Sequence, residues 1–320
     1  MATPPDTGWL LRLPNYVGDT VCALPALQRL AAAGPLLALG RPWALPLLAA
    51  AGIAARPYPK DLAARVTALR EAAGALGTRR ILLLTQSFSS ALEARLAGLR
   101  PRGYAKDGRG WLLAESAGPA LAGHLVAGYA GLVEGLPGVA PAASVWTPPW
   151  PGPRADPAQL TAARQRLDAR LGRGGRYALL VPRAGGGHGG ASKDWPHFAA
   201  VLPLLQRAGL RLLMAPGPGE AAAFVQAAPA AELLEGLDLA ALGLLAAGAS
   251  VVLAPDCGPA HLAAAAGAPL VAVFGPTSPA RCRPWSPRAQ VLGGDGHWPE
   301  RAEVEAALLR CLALHPEPGP

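Results

Sequence analysis

The sequence predicts an α/β chain built from two doubly wound domains. Three observations carry that expectation. Short apolar runs alternate with helix-like segments through the first 135 residues. A proline-rich stretch, residues 136–158, then interrupts the pattern, and the alternation restarts beyond it. At 320 residues the chain also exceeds the usual size of a single core, so two domains are expected. The boundary is placed near residue 150, giving domains 1–150 and 151–320 with a semi-rigid linker at 136–158.

In the first half, Trp9–Leu13 reads as a strand and Thr20–Ala33 as a helix with Val21, Leu24, Leu27 and Leu30 at helical spacing. Pro25 is expected to kink that helix or to sit near its first turn. Leu36–Leu39 is a strand, Ala44–Ala51 and Leu62–Leu76 are helices, and Ile81–Leu84 is a buried strand. A helix over Ser90–Leu99 and a short strand at Arg102–Tyr104 follow. In the second half the helices are Gln159–Leu171, Pro196–Ala208, Leu239–Ala247 and Pro299–Leu314. Strands fall at Tyr177–Val181, Leu210–Met214, Val251–Ala254 and Leu270–Phe274.

Composition narrows the class. The apolar fraction is 51% with only 5% aromatic residues, so alanine and leucine carry the excess, as suits small-residue helices on sheets. The net charge of +8 is uneven: residues 1–150 hold 14 Lys/Arg against 8 Asp/Glu, and residues 151–320 hold 15 against 13. The first half is the better match for an anionic partner, such as a phosphorylated lipid or a membrane surface. Dispersed basic residues without interleaved aromatics argue against nucleic acid. Cys22, Cys257, Cys282 and Cys311 form no CxxC pair, which points to a reducing cytosol and to neither a disulfide framework nor a zinc site. The opening MATPPDTG lacks the pattern of a secretory signal, and the Ala-Leu runs are too short to span a bilayer.

Four stretches carry candidate chemistry, each where a strand gives way to a loop or helix. Val17-Gly18-Asp19-Thr20 follows the first strand; Asp19 serves there as a helix N-cap or as a base for a hydroxyl proton. The glycine-rich segment Ala184–Gly190, with Lys193 after it, follows Tyr177–Val181. It has neither Walker spacing nor a proper GxGxxG, yet its amides can surround an anion, and Lys193 is the only lysine in the second half. Pro216-Gly217-Pro218-Gly219-Glu220 places an acid where nucleotide folds hold a ribose, or where a helix simply begins. Asp256-Cys257-Gly258-Pro259 breaks a β-α-β crossover, with His261 in the first helical turn. A helix N-terminus attracts phosphate, although a polar cap explains the same residues. Cys257 with His261 lacks an evident third orienting group for thiol nucleophilic chemistry. No Asp-x-Asp occurs, so a metal-binding pair of that kind finds no support.

LPNYVGDTVCALPAL, SKDWP, PGPGE and APDCGPAHLAAAAGAPLVAVFGPTSPAR together resemble the ADP-heptose:lipopolysaccharide heptosyltransferases of glycosyltransferase family 9, and PNYVGD is most similar to the heptosyltransferase II branch. The resemblance spans nearly the whole chain in order. It implies a GT-B fold, two Rossmann-like domains facing a central cleft, the first for acceptor and the second for ADP-sugar. It implies inverting, metal-independent transfer of heptose from ADP-L-glycero-D-manno-heptose to the lipopolysaccharide inner core, with no cofactor. Asp19 would then be the general base and Lys193 would neutralise the departing diphosphate. Gly185 and Gly186 would approach the donor, Glu220 would hold the ribose, and Leu237 would contact adenine. Asp256, Cys257, Gly258 and His261 would line the diphosphate-sugar site. The acceptor would be a lipid-linked or phosphorylated glycan, met in the cytoplasm at the inner membrane surface. Cys257 stands where Ser or Thr is usual, and the 184–190 loop is longer and barer than the family's. A natural-product or other surface-glycan acceptor, a non-catalytic nucleotide-sugar-binding module and a sugar-nucleotide epimerase are the competing readings.

Overall fold

A computed structural model of the chain describes residues 8–121, 123–142, 149, 165, 168–169 and 175–314. Apart from residues 165, 168 and 169, the helix expected over Gln159–Leu171 lies outside these residues, as does most of the proline-rich segment. The chain divides into two compact units, Met1–Val145 and Trp146–Pro320.

The first unit is a parallel six-stranded sheet with strands β1 (Trp9–Arg12), β2 (Leu36–Gly40), β3 (Ala55–Pro57), β4 (Arg80–Leu83), β5 (Arg100–Gly103) and β6 (Glu115–Ser116). Their spatial order is β3-β2-β1-β4-β5-β6, and Leu10 of β1 pairs with Leu37 on one side and Ile81 on the other. On one face Leu10, Leu39 and Leu83 pack against Val66 and Leu69 of the helix Leu62–Leu76 and Ala91 of the helix Phe88–Leu96. The helix Leu62–Leu76 is bounded by local chemistry. Asp61 accepts the Ala64 N–H at 2.9 Å, and Gly77 at φ 65 ends it in the left-handed conformation.

The first helix spans Val17–Ala33 and contacts the helix Leu125–Val133. It opens three residues earlier than expected. Tyr16 is its N-cap, in extended conformation, and Thr20 returns both its N–H and its hydroxyl to the Tyr16 carbonyl. Asp19 is therefore a first-turn residue and not the cap. The helix runs through Pro25, an interior proline that costs roughly 3 kcal/mol. Burial of Val21, Leu24, Leu27 and Leu30 offsets that cost.

The second unit repeats the plan. Its sheet strands are β7 (Tyr177–Leu180), β10 (Arg211–Met214), β11 (Glu232–Leu233), β12 (Val251–Pro255), β13 (Leu270–Phe274) and β14 (Ala289–Gly293). They are ordered β11-β10-β7-β12-β13-β14, all parallel. A small hairpin, β8 (Gly187–His188) with β9 (Ala191–Ser192), stands apart. Strands β12 and β13 are buried at every residue, as expected of central strands covered on both faces. The C-terminal helix Arg301–Leu314 packs Val304, Leu308 and Cys311 inward. The helix expected over Pro196–Ala208 is instead a 3-10 turn, Phe198–Val201, followed by an α-helix, Leu202–Arg207. Pro203 explains the break: without an N–H it suits the first turn of a new helix and not the interior of a longer one.

Counted within each unit, both sheets have the order 3-2-1-4-5-6. The winding reverses between β1 and β4 in the first unit and between β7 and β12 in the second. In open parallel sheets ligands bind outside the carboxyl ends of the strands at that reversal.

Candidate functional site

The reversal point of the second unit collects most of the expected donor residues. The chain leaves β7 through Arg183 and Ala184 and returns at Lys193 and Asp194. Asp194 closes this excursion: one carboxylate oxygen accepts the Ala184 N–H at 2.7 Å, and the other pairs with Arg183 Nε at 2.8 Å. The glycine-rich segment expected to surround an anion lies between them. It is a hairpin whose turn runs through Gly189 and Gly190 at φ 57 and 83. At Gly187 any Cβ would stand 2.6 Å from the Ala191 carbonyl, so the pairing requires glycine there. Beyond the hairpin, Trp195 is buried and donates its indole N–H to the Pro299 carbonyl at 3.1 Å, anchoring the Lys193 segment to the body of the unit.

Lys193 Nζ lies 3.3 Å from Asp256 Oδ2. Asp256 comes from the end of β12, the strand beside β7, and is buried, as is His261. His261 Nε2 stands 3.8 Å from the other Asp256 oxygen. Burial raises the pKa of the Asp256 carboxyl, but the hydrogen bond from His261 and the charge of Lys193 outweigh it and hold the group below the usual range. Cys257 follows as the N-cap of the helix Gly258–Ala265, extended and without a side-chain capping bond. Its burial pushes the thiol up to about 12, so at neutral pH it is a thiol and not a thiolate. That disfavours the nucleophile reading.

Glu220 precedes the helix Ala221–Ala227 at the carboxyl end of β10, and its carboxylate accepts the Gly217 N–H at 2.8 Å. A Cβ on Gly185 would lie 3.5 Å from Glu220 Oε1, so the start of the glycine loop and the PGPGE turn meet. Gly186 follows at φ 130. Leu237 lies in the loop after β11, two strands from β7 and half-buried, ahead of Asp238, which caps the helix Leu239–Ala247. Cys282 was not anticipated. Its Sγ stands 3.9 Å from Asp256 Oδ2, brought there by the short helix Pro279–Cys282 after β13. The proline-bounded GPTSPARC turn was its only sequence signal.

In the first unit, Asp19 is half-buried at the carboxyl end of β1, in the first turn of its helix. The residue that shapes the preceding loop was missed. Arg12, buried at the end of β1, donates to the Leu13 carbonyl and to Asn15 Oδ1, the latter at 3.0 Å. Its guanidinium lies 4.1 Å above the Tyr58 ring. The Tyr58 hydroxyl donates to Glu93 at 2.6 Å, and Glu93 pairs with Arg65 at 2.8 Å. Burial lowers the pKa of Arg12 and raises that of Tyr58, leaving a charged arginine and a neutral phenol at neutral pH.

"Lipopolysaccharide heptosyltransferase 3" of Escherichia coli is 31% identical over 140 residues, 41% of this chain and 40% of that protein's length. Among solved structures, E. coli ADP-heptose lps heptosyltransferase II superposes with a TM-score of 0.75 at 23% identity, covering 97% of this chain and 100% of the other. The family 9 glycosyl transferase from Veillonella parvula DSM 2008 gives 0.73 at 16%, covering 96% of each. E. coli heptosyltransferase WaaC with ADP gives 0.67 at 20%, covering 89% and 93%. At these identities the structures show a shared fold, the GT-B architecture. The family model of glycosyltransferase family 9 (heptosyltransferase) matches residues 66–309, a span that holds Lys193, Glu220 and Asp256 but begins after Asp19. By that match over most of its length, this chain belongs to glycosyltransferase family 9.

Proposed function

We propose that the protein is an inverting, metal-independent glycosyltransferase that moves heptose from ADP-L-glycero-D-manno-heptose to the lipopolysaccharide inner core. The observation that carries the reading is the meeting of Lys193 with Asp256 at the reversal point of the second sheet, beside the N-terminus of the helix Gly258–Ala265. A cation and a helix N-terminus at one strand edge suit a diphosphate that gains charge as it leaves. WaaC, a relative in fold, has been solved with ADP and with ADP-2-deoxy-2-fluoro heptose.

In this reading the acceptor hydroxyl attacks the anomeric carbon while Asp19 takes its proton. The bond from that carbon to the ADP oxygen breaks, and the electron pair stays on the diphosphate. A single displacement of this kind inverts the anomeric centre. Lys193 moves its charge from Asp256 to the departing diphosphate. Glu220, already oriented by the Gly217 N–H, accepts hydrogen bonds from the ribose hydroxyls. Gly185 and Gly186 let the backbone approach the nucleotide, and Leu237 offers an apolar surface to the adenine. Cys257 lines the same site as a neutral thiol, with Gly258 and His261 beside it. The basic first unit receives the phosphorylated, lipid-linked acceptor on the cytoplasmic side of the membrane.

The test is direct. Incubation with ADP-heptose and a heptose-deficient core should release ADP and add one heptose to the acceptor by mass spectrometry. Absence of ADP release with every such core overturns the proposal.

A further inference from the structure

Two basic side chains face the Asp256 carboxylate, one at each oxygen. Lys193 Nζ stands 3.3 Å from Oδ2, and His261 Nε2 stands 3.8 Å from Oδ1. One carboxylate needs one positive charge, so the imidazole is surplus while the lysine is in place. The two bases are held differently. Lys193 is half-buried at the foot of the glycine hairpin and carries its ammonium on a long, rotatable stem. His261 is buried in the first turn of the helix Gly258–Ala265, fixed beside Asp256 by the backbone of that turn.

Three features oppose a charge on the imidazole in this arrangement. The ring is buried, it lies at the positive end of a helix, and it shares its carboxylate with a lysine cation. The elements packed on its helix add no charge. Strands β12 and β13 and the helix Leu239–Ala247 carry no ionisable side chain. Of the groups brought in by loops, Cys257 is a neutral thiol, and Cys282 Sγ lies on the lysine's side of the carboxylate, 3.9 Å from Oδ2. The other two acids of the site are engaged elsewhere: Glu220 by the Gly217 N–H and Asp194 by Arg183 and the Ala184 N–H.

A bound nucleoside diphosphate reverses this balance. Once Lys193 turns to the phosphates, a buried carboxylate is left without its cation, which is the costly half of a broken interior ion pair. The phosphate charges also favour a new positive charge close by. We propose that His261 takes over Asp256 as the diphosphate captures Lys193, gaining one proton from solvent on its imidazole and returning it when the nucleotide leaves. His261 is then a positioning residue. It keeps the Asp256 carboxylate paired and in place while the lysine attends the leaving group, and it makes nucleotide affinity fall as pH rises. The inference rests on the ADP-binding role of the second unit, but it is read from binding alone, without acceptor or heptose transfer.

Calorimetric titration of ADP into the full chain, repeated in buffers of different ionisation enthalpy, counts the protons exchanged. The measurement belongs above about pH 7, where the terminal phosphate, ionising near about 6, has finished titrating. The wild-type chain is expected to take up between about half and one proton, with the Kd for ADP rising up to about tenfold per pH unit. His261→Gln should abolish the uptake and flatten that dependence. Lys193→Ala leaves Asp256 to His261 from the start, so it should bind ADP more weakly and with the uptake sharply reduced. A merely structural histidine would move neither proton count. An enthalpy independent of buffer in the wild type, or uptake unchanged in either variant, overturns the proposal. Absence of any ADP binding overturns the donor reading and this inference together, whereas binding without uptake overturns this inference alone.

Discussion

Lys193 Nζ stands 3.3 Å from Asp256 Oδ2, a contact made across the boundary between two strands whose winding directions diverge. The lysine arrives on the far side of a glycine hairpin, and the acid arrives at the end of a wholly buried strand. In the proposed reaction this pair would hold a cation ready for the leaving diphosphate, with Asp256 as its partner beforehand. Replacing Lys193 with Ala should lower kcat/KM for ADP-heptose by roughly 10²- to 10³-fold. Arg should restore part of it, since its fork suits phosphate but not the same point contact. Steady-state kinetics of both variants decide this, and an unchanged kcat/KM in the alanine variant contradicts it.

Asp256 ties stability to pH. Its folded pKa lies below the ordinary value of 3.8, so its contribution is complete above that value and is lost as pH falls through the lower, folded pKa. Thermal unfolding followed from about pH 5 to about pH 2 should therefore show a steep acid limb. Asp256→Asn should flatten that limb, and an identical acid limb in the variant would count against the ion pair.

Asp19 is assigned to the proton and not to the donor. Asp19→Asn should lower kcat by about 10²- to 10⁴-fold while the affinity for ADP, measured by calorimetry, stays the same. Weakened ADP binding would move Asp19 from chemistry to donor recognition.

The thiol of Cys257 is buried and raised to about 12. Iodoacetamide at pH 8 should leave it unmodified in the native chain and alkylate it after unfolding in urea, as read by peptide mass spectrometry. Cys257→Ser should retain activity and add a capping hydroxyl worth about 1 kcal/mol to the helix Gly258–Ala265. A substantial loss of turnover would reinstate the thiol as a functional group.

The charge at the leaving group comes, in this reading, from Lys193 and a helix N-terminus. Chelation with EDTA should leave heptose transfer unchanged, and restoration of a chelator-sensitive activity by added magnesium would refute metal independence.

Much of the fold is legible because burial writes itself into composition. Strands such as Val251–Pro255 and Leu270–Phe274 are apolar at nearly every position, as sheets covered on both faces demand. The helix Leu62–Leu76 carries its own start in Asp61 and its own stop in Gly77. By contrast β3, β6 and β11 are two or three residues long, and Ala55-Arg56-Pro57 holds no apolar run. They are strands only because a neighbouring strand offers them hydrogen bonds. The first helix starts three residues before its expected position for a related reason: Tyr16 has no capping side chain, so its residue type does not mark the start.

The sequence by itself determined the two α/β units, their buried strands and the strand-end positions of Asp19, Lys193, Glu220 and Asp256. Those follow from local periodicity, turn residues and motif order. Tertiary structure alone decided that Lys193 meets Asp256 across 63 residues, that Glu220 lies against Gly185, and that Cys282 approaches the same carboxylate. It alone decided that Arg109 ties the turn after β5 to the start of the helix Phe88–Leu96. Such contacts join residues from different strands, and strand order is set by how whole sheets close over their cores, which no local window of sequence contains.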